Sequence, residues 1–306
     1  MARDFLSIDD LSSEELLHLL ALASRVKADK ASAAHALSGC SVAMIFEKPS
    51  TRTRVSFEVG IAEAGGTPIV LSATDMQLGR GETVEDTGRV LSRYVDAIVL
   101  RTFEQEKLEL LAEAGDAAVI NALSDYEHPC QILADLLTIT EHKGGLEGLT
   151  LTYLGDGNNV THSLLLGCAK VGMNVVVATP PGYEPIPQVV ERAREIAAER
   201  GSGIKVTNDP LEGAAGADVL YTDVWASMGQ EAEAEARKLV FPAFILDESV
   251  VAAANPDVLV MHCLPAHRGE EISAGAIDGP NSVVFDQAEN RLHAQKALLI
   301  WALDKE

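Results

Sequence analysis

Cysteine is scarce in this chain of 306 residues: Cys40, Cys130, Cys168 and Cys263 are the four present, and no C-x-x-C pair occurs among them. Neither a disulfide framework nor a zinc ribbon is indicated, and a reducing cytoplasm is the expected compartment. No apolar run approaches the length needed to cross a bilayer. The opening Met1-Ala2-Arg3-Asp4-Phe5-Leu6 lacks the basic-then-apolar pattern of an export signal. Basic residues are also few, 24 against 46 acidic ones, for a net charge of -22. That balance repels nucleic-acid phosphates and anionic membranes, so neither is an expected partner.

What is present is ordinary globular material, 47% hydrophobic and 23% charged. It suffices to bury two cores without disulfides or metals. The length favours two domains of roughly 150 residues, with a cleft between them as the natural site. The acidic residues are spread along the chain as a solvated surface, and their excess resembles the surface chemistry of proteins from salt-loving organisms.

Hydrophobic patterning predicts an α/β fold. A helix is expected where Ser12-Ser13-Glu14-Glu15 precedes the apolar run Leu16-Leu17-His18-Leu19-Leu20. Residues 41–46 read as a buried strand, and Glu47-Lys48-Pro49-Ser50-Thr51 leads into a helix carrying Arg54, Phe57, Glu58 and Ile61. The same strand, loop and helix grammar recurs at 68–71, 97–100 and 119–121, and then at 149–154, 174–178, 219–221 and 258–261. Helices are expected at 131–142, 186–200 and 288–303. Two doubly wound parallel-sheet domains follow: residues 1–142 joined by the C-terminal helix 288–306, and residues 143–287.

Three stretches carry chemistry. In Lys48-Pro49-Ser50-Thr51-Arg52-Thr53-Arg54, hydroxyls and guanidinium groups crowd a loop entering a helix N-terminus, where backbone N–H groups and the helix dipole favour an anion. The segment reads as a phosphate cradle, the alternative being a capped helix with surface arginines. Gly155-Asp156-Gly157-Asn158-Asn159 follows a strand like a dinucleotide loop, but Val160 replaces the third glycine of G-x-G-x-x-G, which argues against a nicotinamide cofactor. His262-Cys263-Leu264-Pro265-Ala266-His267-Arg268-Gly269 offers histidines around a cysteine, yet no second Cys/His cluster nearby completes a tetrahedral zinc set.

The first of these strings resembles the carbamoyl phosphate signature of the aspartate and ornithine carbamoyltransferases. Arg101-Thr102-Phe103 and His128-Pro129-Cys130-Gln131 are similar to that family's carbamoyl-binding segments, and Gly155–Asn159 and Asp223-Val224-Trp225-Ala226-Ser227-Met228-Gly229 to the acceptor loops of its ornithine members. The cysteine form of the His262–Gly269 string also separates the ornithine from the aspartate enzymes. The matches run in order from about Phe46 to Arg291.

The resemblance implies transfer of a carbamoyl group from carbamoyl phosphate to the δ-amine of L-ornithine, giving citrulline and phosphate, without metal or organic cofactor. It implies that Ser50, Thr51, Arg52 and Arg101 hold the phosphate, with Arg291 completing the anion site. Thr53, Arg101 and His128 would face the carbonyl oxygen, Gln131 and the Cys263-Leu264 backbone the carbamoyl amide, and Asn159, Asp223, Ser227 and Met228 ornithine. Arg101, His128 and Cys263 are the implied catalytic group. Family members are trimers or assemblies of trimers, and Gln77 resembles the residue a neighbouring subunit contributes. A carbamoyltransferase for another amine such as putrescine, and a non-catalytic binding protein, are the alternatives.

Overall fold

A computed structural model describes residues 2–72, 81–226 and 233–306. The chain forms two compact units, one of residues 1–137 with 289–306 and the other of residues 138–288. The boundaries fall inside two helices, a few residues from the expected 142/143 and 287/288.

In the first unit the elements are α1 (Ser13–Ala28), β1 (Ser41–Phe46), α2 (Thr51–Glu63), β2 (Thr67–Ser72), α3 (Val84–Leu91), β3 (Ala97–Arg101), α4 (Gln105–Ala114), β4 (Ala118–Leu123) and α5 (Pro129–Lys143), whose end passes into the second unit. α1 starts where a capping box closes: Ser12 Oγ accepts from Glu15 N at 3.1 Å, and Ser12 N donates to Glu15 Oε2 at 2.9 Å. The four strands are parallel in the order β2-β1-β3-β4. β3 and β4 are buried throughout, as expected for parallel strands covered on both faces. β2 is the edge, which accommodates Pro68 in a strand.

The second unit contains β5 (Thr150–Leu154), α6 (Asn159–Lys170), β6 (Asn174–Ala178), α7 (Pro187–Arg200), β7 (Ile204–Thr207), α8 (Pro210–Ala214), β8 (Val219–Thr222), α9 (Ala234–Val240), α10 (Glu248–Ala253), β9 (Leu259–His262), α11 (Ala274–Ile277) and α12 (Val284–Ala302), whose later turns belong to the first unit. Its five parallel strands run β7-β6-β5-β8-β9. α7 begins at Pro187 and ends at Gly201, which takes the left-handed conformation at φ +73°.

Strand order fixes where a ligand can sit. In open parallel sheets the binding crevice lies beyond the strand C-termini, where the winding direction reverses. That point lies between β1 and β3 in the first sheet and between β5 and β8 in the second. Arg101 is the last residue of β3, and the loops leaving β1, β5 and β8 carry Ser50, Asn158 and Asp223.

Candidate active site

The N-terminus of α2 lies at the first switch point. Its N-cap residue, Ser50, is extended and makes no side-chain cap bond, unlike Ser12, Thr83, Asn158, Asp209 and Ser273 at other helix starts. A first helical turn has backbone N–H groups with no intrahelical acceptor, and a hydroxyl that does not cap them leaves those groups available to an anion. Thr51 and Arg52 are exposed beside it, whereas Thr53 is 1% exposed and turned inward.

Arg101 ends β3, where the pairing with β4 shifts by one residue between Leu100 and Arg101. Such a bulge re-aims the side chain that follows it. Arg101, His128, Gln131 and Arg291 are all buried. Arg291 Nη1 donates to Gln131 Oε1 at 2.6 Å, and Nη2 donates to Thr53 Oγ1 at 3.1 Å. Gln131 Nε2 in turn donates to Asp135 Oδ1 at 2.8 Å. Four residues read separately from sequence thus form one contiguous polar site within the first unit.

Its charge balance is positive. Burial holds the His128 imidazole well below its ordinary value, and the guanidinium groups of Arg291, Arg101 and Arg52 push it the same way. His128 is therefore neutral near pH 7, able to donate one N–H without carrying charge. A dianionic phosphate is the kind of ligand that would offset three such cations. Burial pushes the Cys130 thiol up to about 12, leaving it inert.

Lys48 had no assigned role, but this 5% exposed side chain pairs with Asp125 and lies 4.0 Å from the centre of the Phe103 ring. It braces the loops after β1, β3 and β4. The sequence hint was a lysine inside the phosphate string.

In the second unit the turn after β5 is shaped by two glycines. Gly155 has φ +139°, and a Cβ on Gly157 would lie 2.2 Å from Pro185 N. Asn158 Oδ1 accepts from Val160 N at 3.0 Å and Thr161 N at 3.2 Å. The amides that a dinucleotide phosphate would use are thus engaged by the chain itself. The Asn158 amide group then donates to Asp223 Oδ2 at 3.1 Å. Asn158 was the missed residue of this loop; its neighbour Asn159 is the first residue of α6 and half-buried.

Asp223 is 6% exposed, and its other oxygen accepts from Cys263 Sγ at 2.9 Å. Arg237 fixes the adjoining segment, reaching Asp156 Oδ2 at 2.6 Å and Trp225 O at 2.7 Å while lying over Tyr183. Burial still raises the Asp156 carboxyl, which Arg237 only partly offsets. Nothing in the sequence around Arg237 marked it.

Leu264 sits at φ +58° before a cis bond to Pro265, and its N–H donates to His262 Nδ1 at 2.9 Å. A non-glycine residue in that region is strained, and the bond to His262 is one contact that holds Leu264 there. His262 Nδ1 accepts, so Nε2 carries the proton and donates to Glu271 Oε1 at 3.2 Å. Asp223, His262 and Cys263 have candidate ligand atoms within 4.8 Å of one another. Both His262 nitrogens are already committed, which does not suit a metal site. Gln77, Ser227 and Met228 lie outside the described residues.

The family description "Aspartate/ornithine carbamoyltransferase, carbamoyl-P binding domain" matches residues 3–141, and its partner description, "Asp/Orn binding domain", matches residues 147–302. The chain belongs to the aspartate/ornithine carbamoyltransferase family. Among its relatives in that family, the ornithine carbamoyltransferase of Parafrankia sp. (strain EAN1pec) is 64% identical, covering 99% of this chain and 97% of the relative. That of Bacillus subtilis (strain 168) is 55% identical over 97% of this chain and 92% of its own. The solved ornithine carbamoyltransferase of Pyrococcus furiosus superposes with a TM-score of 0.94 at 53% identity, covering 97% of this chain and 96% of the other. The described α/β units are thus the family's two domain types.

Proposed function

We propose that this carbamoyltransferase-family chain moves the carbamoyl group of carbamoyl phosphate onto the δ-amine of L-ornithine, releasing citrulline and phosphate. The observation that carries the reading is the buried group of Arg101, His128, Gln131 and Arg291, with Arg291 bonded to Gln131 and to Thr53 on the first turn of α2, where Arg52 is exposed. This is a phosphate site with an uncharged hydrogen-bond donor for a carbonyl oxygen. The relatives named for ornithine support the acceptor, as does the buried Asp223 carboxylate, suited to an α-ammonium.

In this reading the neutral δ-amine attacks the carbonyl carbon of carbamoyl phosphate. Negative charge grows on the carbonyl oxygen of the tetrahedral adduct, where donors from Thr53, Arg101 and His128 would each matter by about 3 kcal/mol. Collapse breaks the C–O bond to phosphate, which Ser50, Thr51, Arg52, Arg101 and Arg291 hold as it leaves, and the amine passes its proton to an oxygen of that departing phosphate. Gln131 and the Cys263-Leu264 backbone orient the carbamoyl amide. Asn159, Asp223, Ser227 and Met228 hold ornithine.

The working assembly is a homotrimer or a set of trimers, with Gln77 serving a neighbour's site. Exposed Val55 and Val59 on α2, with Ile69 on β2, an edge strand among the described residues, support self-association, since a strand edge with exposed apolar neighbours favours a partner. A cytoplasmic location is supported by the free cysteines. The acidic excess supports a salt-adapted surface.

The test is citrulline formation by purified protein from carbamoyl phosphate and ornithine, with putrescine and aspartate as competing acceptors. Citrulline from ornithine, with the other acceptors poor, is the expected result. Preference for either alternative amine, or binding without turnover, would overturn the reading.

A further inference from the structure

A polar seam joins α2 to the middle turns of α12 within the first unit. Arg291 meets Thr53 at the start of α2, Gln295 meets Ser56 one turn later, and Lys296 pairs with Glu63 at the far end. Gln295 and Lys296 are no more than 1% exposed.

The hydrogen bonding at Ser56 gives this seam a direction. Its Oγ lies 2.7 Å from Arg52 O, 3.2 Å from Thr53 O and 2.7 Å from Gln295 Oε1, and a hydroxyl has one hydrogen for three such acceptors. Gln295 Nε2, at the other end of the amide, is buried and has no partner among the described residues. An amide's orientation is decided by its hydrogen bonds. Turning this one by half a revolution lets its NH2 donate to Ser56 Oγ and frees the hydroxyl to donate to Arg52 O.

We infer that Gln295 is a positioning residue, acting through Ser56 on the Arg52 carbonyl to set the first turn of α2 against Arg291. A serine bonded back to the carbonyl four residues earlier bends its helix locally, so this relay acts on the turn that holds Ser50, Thr51 and Arg52. The two arginines that approach the anion from different helices are thereby held at one spacing. The inference deepens the carbamoyl phosphate reading and rests on it.

The experiment compares Gln295→Leu, Ser56→Ala and the double variant with wild type. It measures kcat, both KM values, binding of inorganic phosphate by calorimetry, and thermal unfolding. Each single variant is expected to raise KM for carbamoyl phosphate and Kd for phosphate about fivefold, the scale of one lost hydrogen bond. Ornithine KM should stay unchanged. The double variant should be no worse than the more affected single one, because the two residues act in series.

Lys296→Met separates positioning from general loosening, since it cuts the seam away from the anion site. Lower thermal stability with unchanged KM for carbamoyl phosphate is expected. A KM rise equal to that of Gln295→Leu would assign the effect to loosening and overturn the inference. So would unchanged KM and phosphate binding in Gln295→Leu and Ser56→Ala alongside normal wild-type turnover. Absence of citrulline formation by wild type would instead overturn the underlying functional reading.

Discussion

The Cys263 thiol donates to Asp223 Oδ1 at 2.9 Å, tying the strings after β9 and β8 into one unit. Asn158 holds the other carboxylate oxygen from the turn after β5. The carboxylate is therefore oriented before any ligand arrives, which lowers the ordering cost of binding an ammonium group.

Asp223→Asn should then weaken ornithine far more than carbamoyl phosphate. In the proposed reading only ornithine would bring a cation to this side chain, and losing a charge-assisted bond costs roughly 1.5–3 kcal/mol. Steady-state KM values for the two substrates check this. Equal weakening of both would show that Asp223 does not serve the amino acid.

Thiol labelling should separate Cys263 from the other cysteines. Cys40, Cys130 and Cys168 are buried, and burial raises the Cys130 thiol to about 12 and also raises Cys40. Iodoacetamide at mildly alkaline pH is expected to modify Cys263 alone in the folded protein and all four after denaturation. Peptide mapping reads the outcome, and saturating ornithine should slow the reaction at Cys263. Early labelling of Cys130 would contradict its burial.

Much of this arrangement was legible in the sequence. The helix start at Ser12, the strand at 41–46 and the loop entering α2 were readable because each rests on neighbours within a few residues. β7 was missed because Ile204-Lys205-Val206-Thr207 is a partly exposed edge strand without an apolar run. α12 starts at Val284, earlier than the expected 288, and α5 starts at Pro129, where proline suits the first helical position. The Ser56–Gln295 and Asp156–Arg237 pairs join residues far apart in the chain, and no local pattern marks them. Family strings supplied the site residues; the structure supplied their bracing.

Arg52→Ala should abolish detectable turnover while leaving the fold intact. Arg52 is exposed at the start of α2, so its loss opens no core cavity but removes a guanidinium from the anion site. Circular dichroism and citrulline formation, measured on the same preparation, decide it. Normal activity would remove the basis for the phosphate site.

Molar salt should favour the folded protein and the proposed assembly. With 46 acidic residues against 24 basic ones, exposed carboxylates repel each other in dilute buffer. The Debye length falls from about 10 Å at 0.1 M salt to about 3 Å at 1 M, which removes most long-range repulsion. Sedimentation and turnover across a KCl series, with an uncharged osmolyte as control, measure the effect. Equal assembly and activity in dilute buffer would make the acidic surface incidental.

The last expectation concerns acid. His128 is held well below its ordinary value of 6.5 by burial, with further lowering from Arg291, Arg101 and Arg52. Between the depressed folded value and 6.5 the unfolded chain binds a proton that the folded protein refuses, so stability rises with pH in that window. The contribution is fully present above 6.5. It is lost progressively as pH falls below 6.5 and levels off once the folded value is passed. Urea unfolding from pH 7.5 down to acid should show this slope, and His128→Gln should reduce it. His293, which burial also lowers, retains a residual slope in that variant. Phosphate bound among the three arginines would cancel much of their repulsion and move the His128 imidazole upward. An NMR titration of the ring with and without inorganic phosphate reads that shift directly. An imidazole that titrates near 6.5 in the free protein, or is indifferent to phosphate, would separate His128 from the anion site.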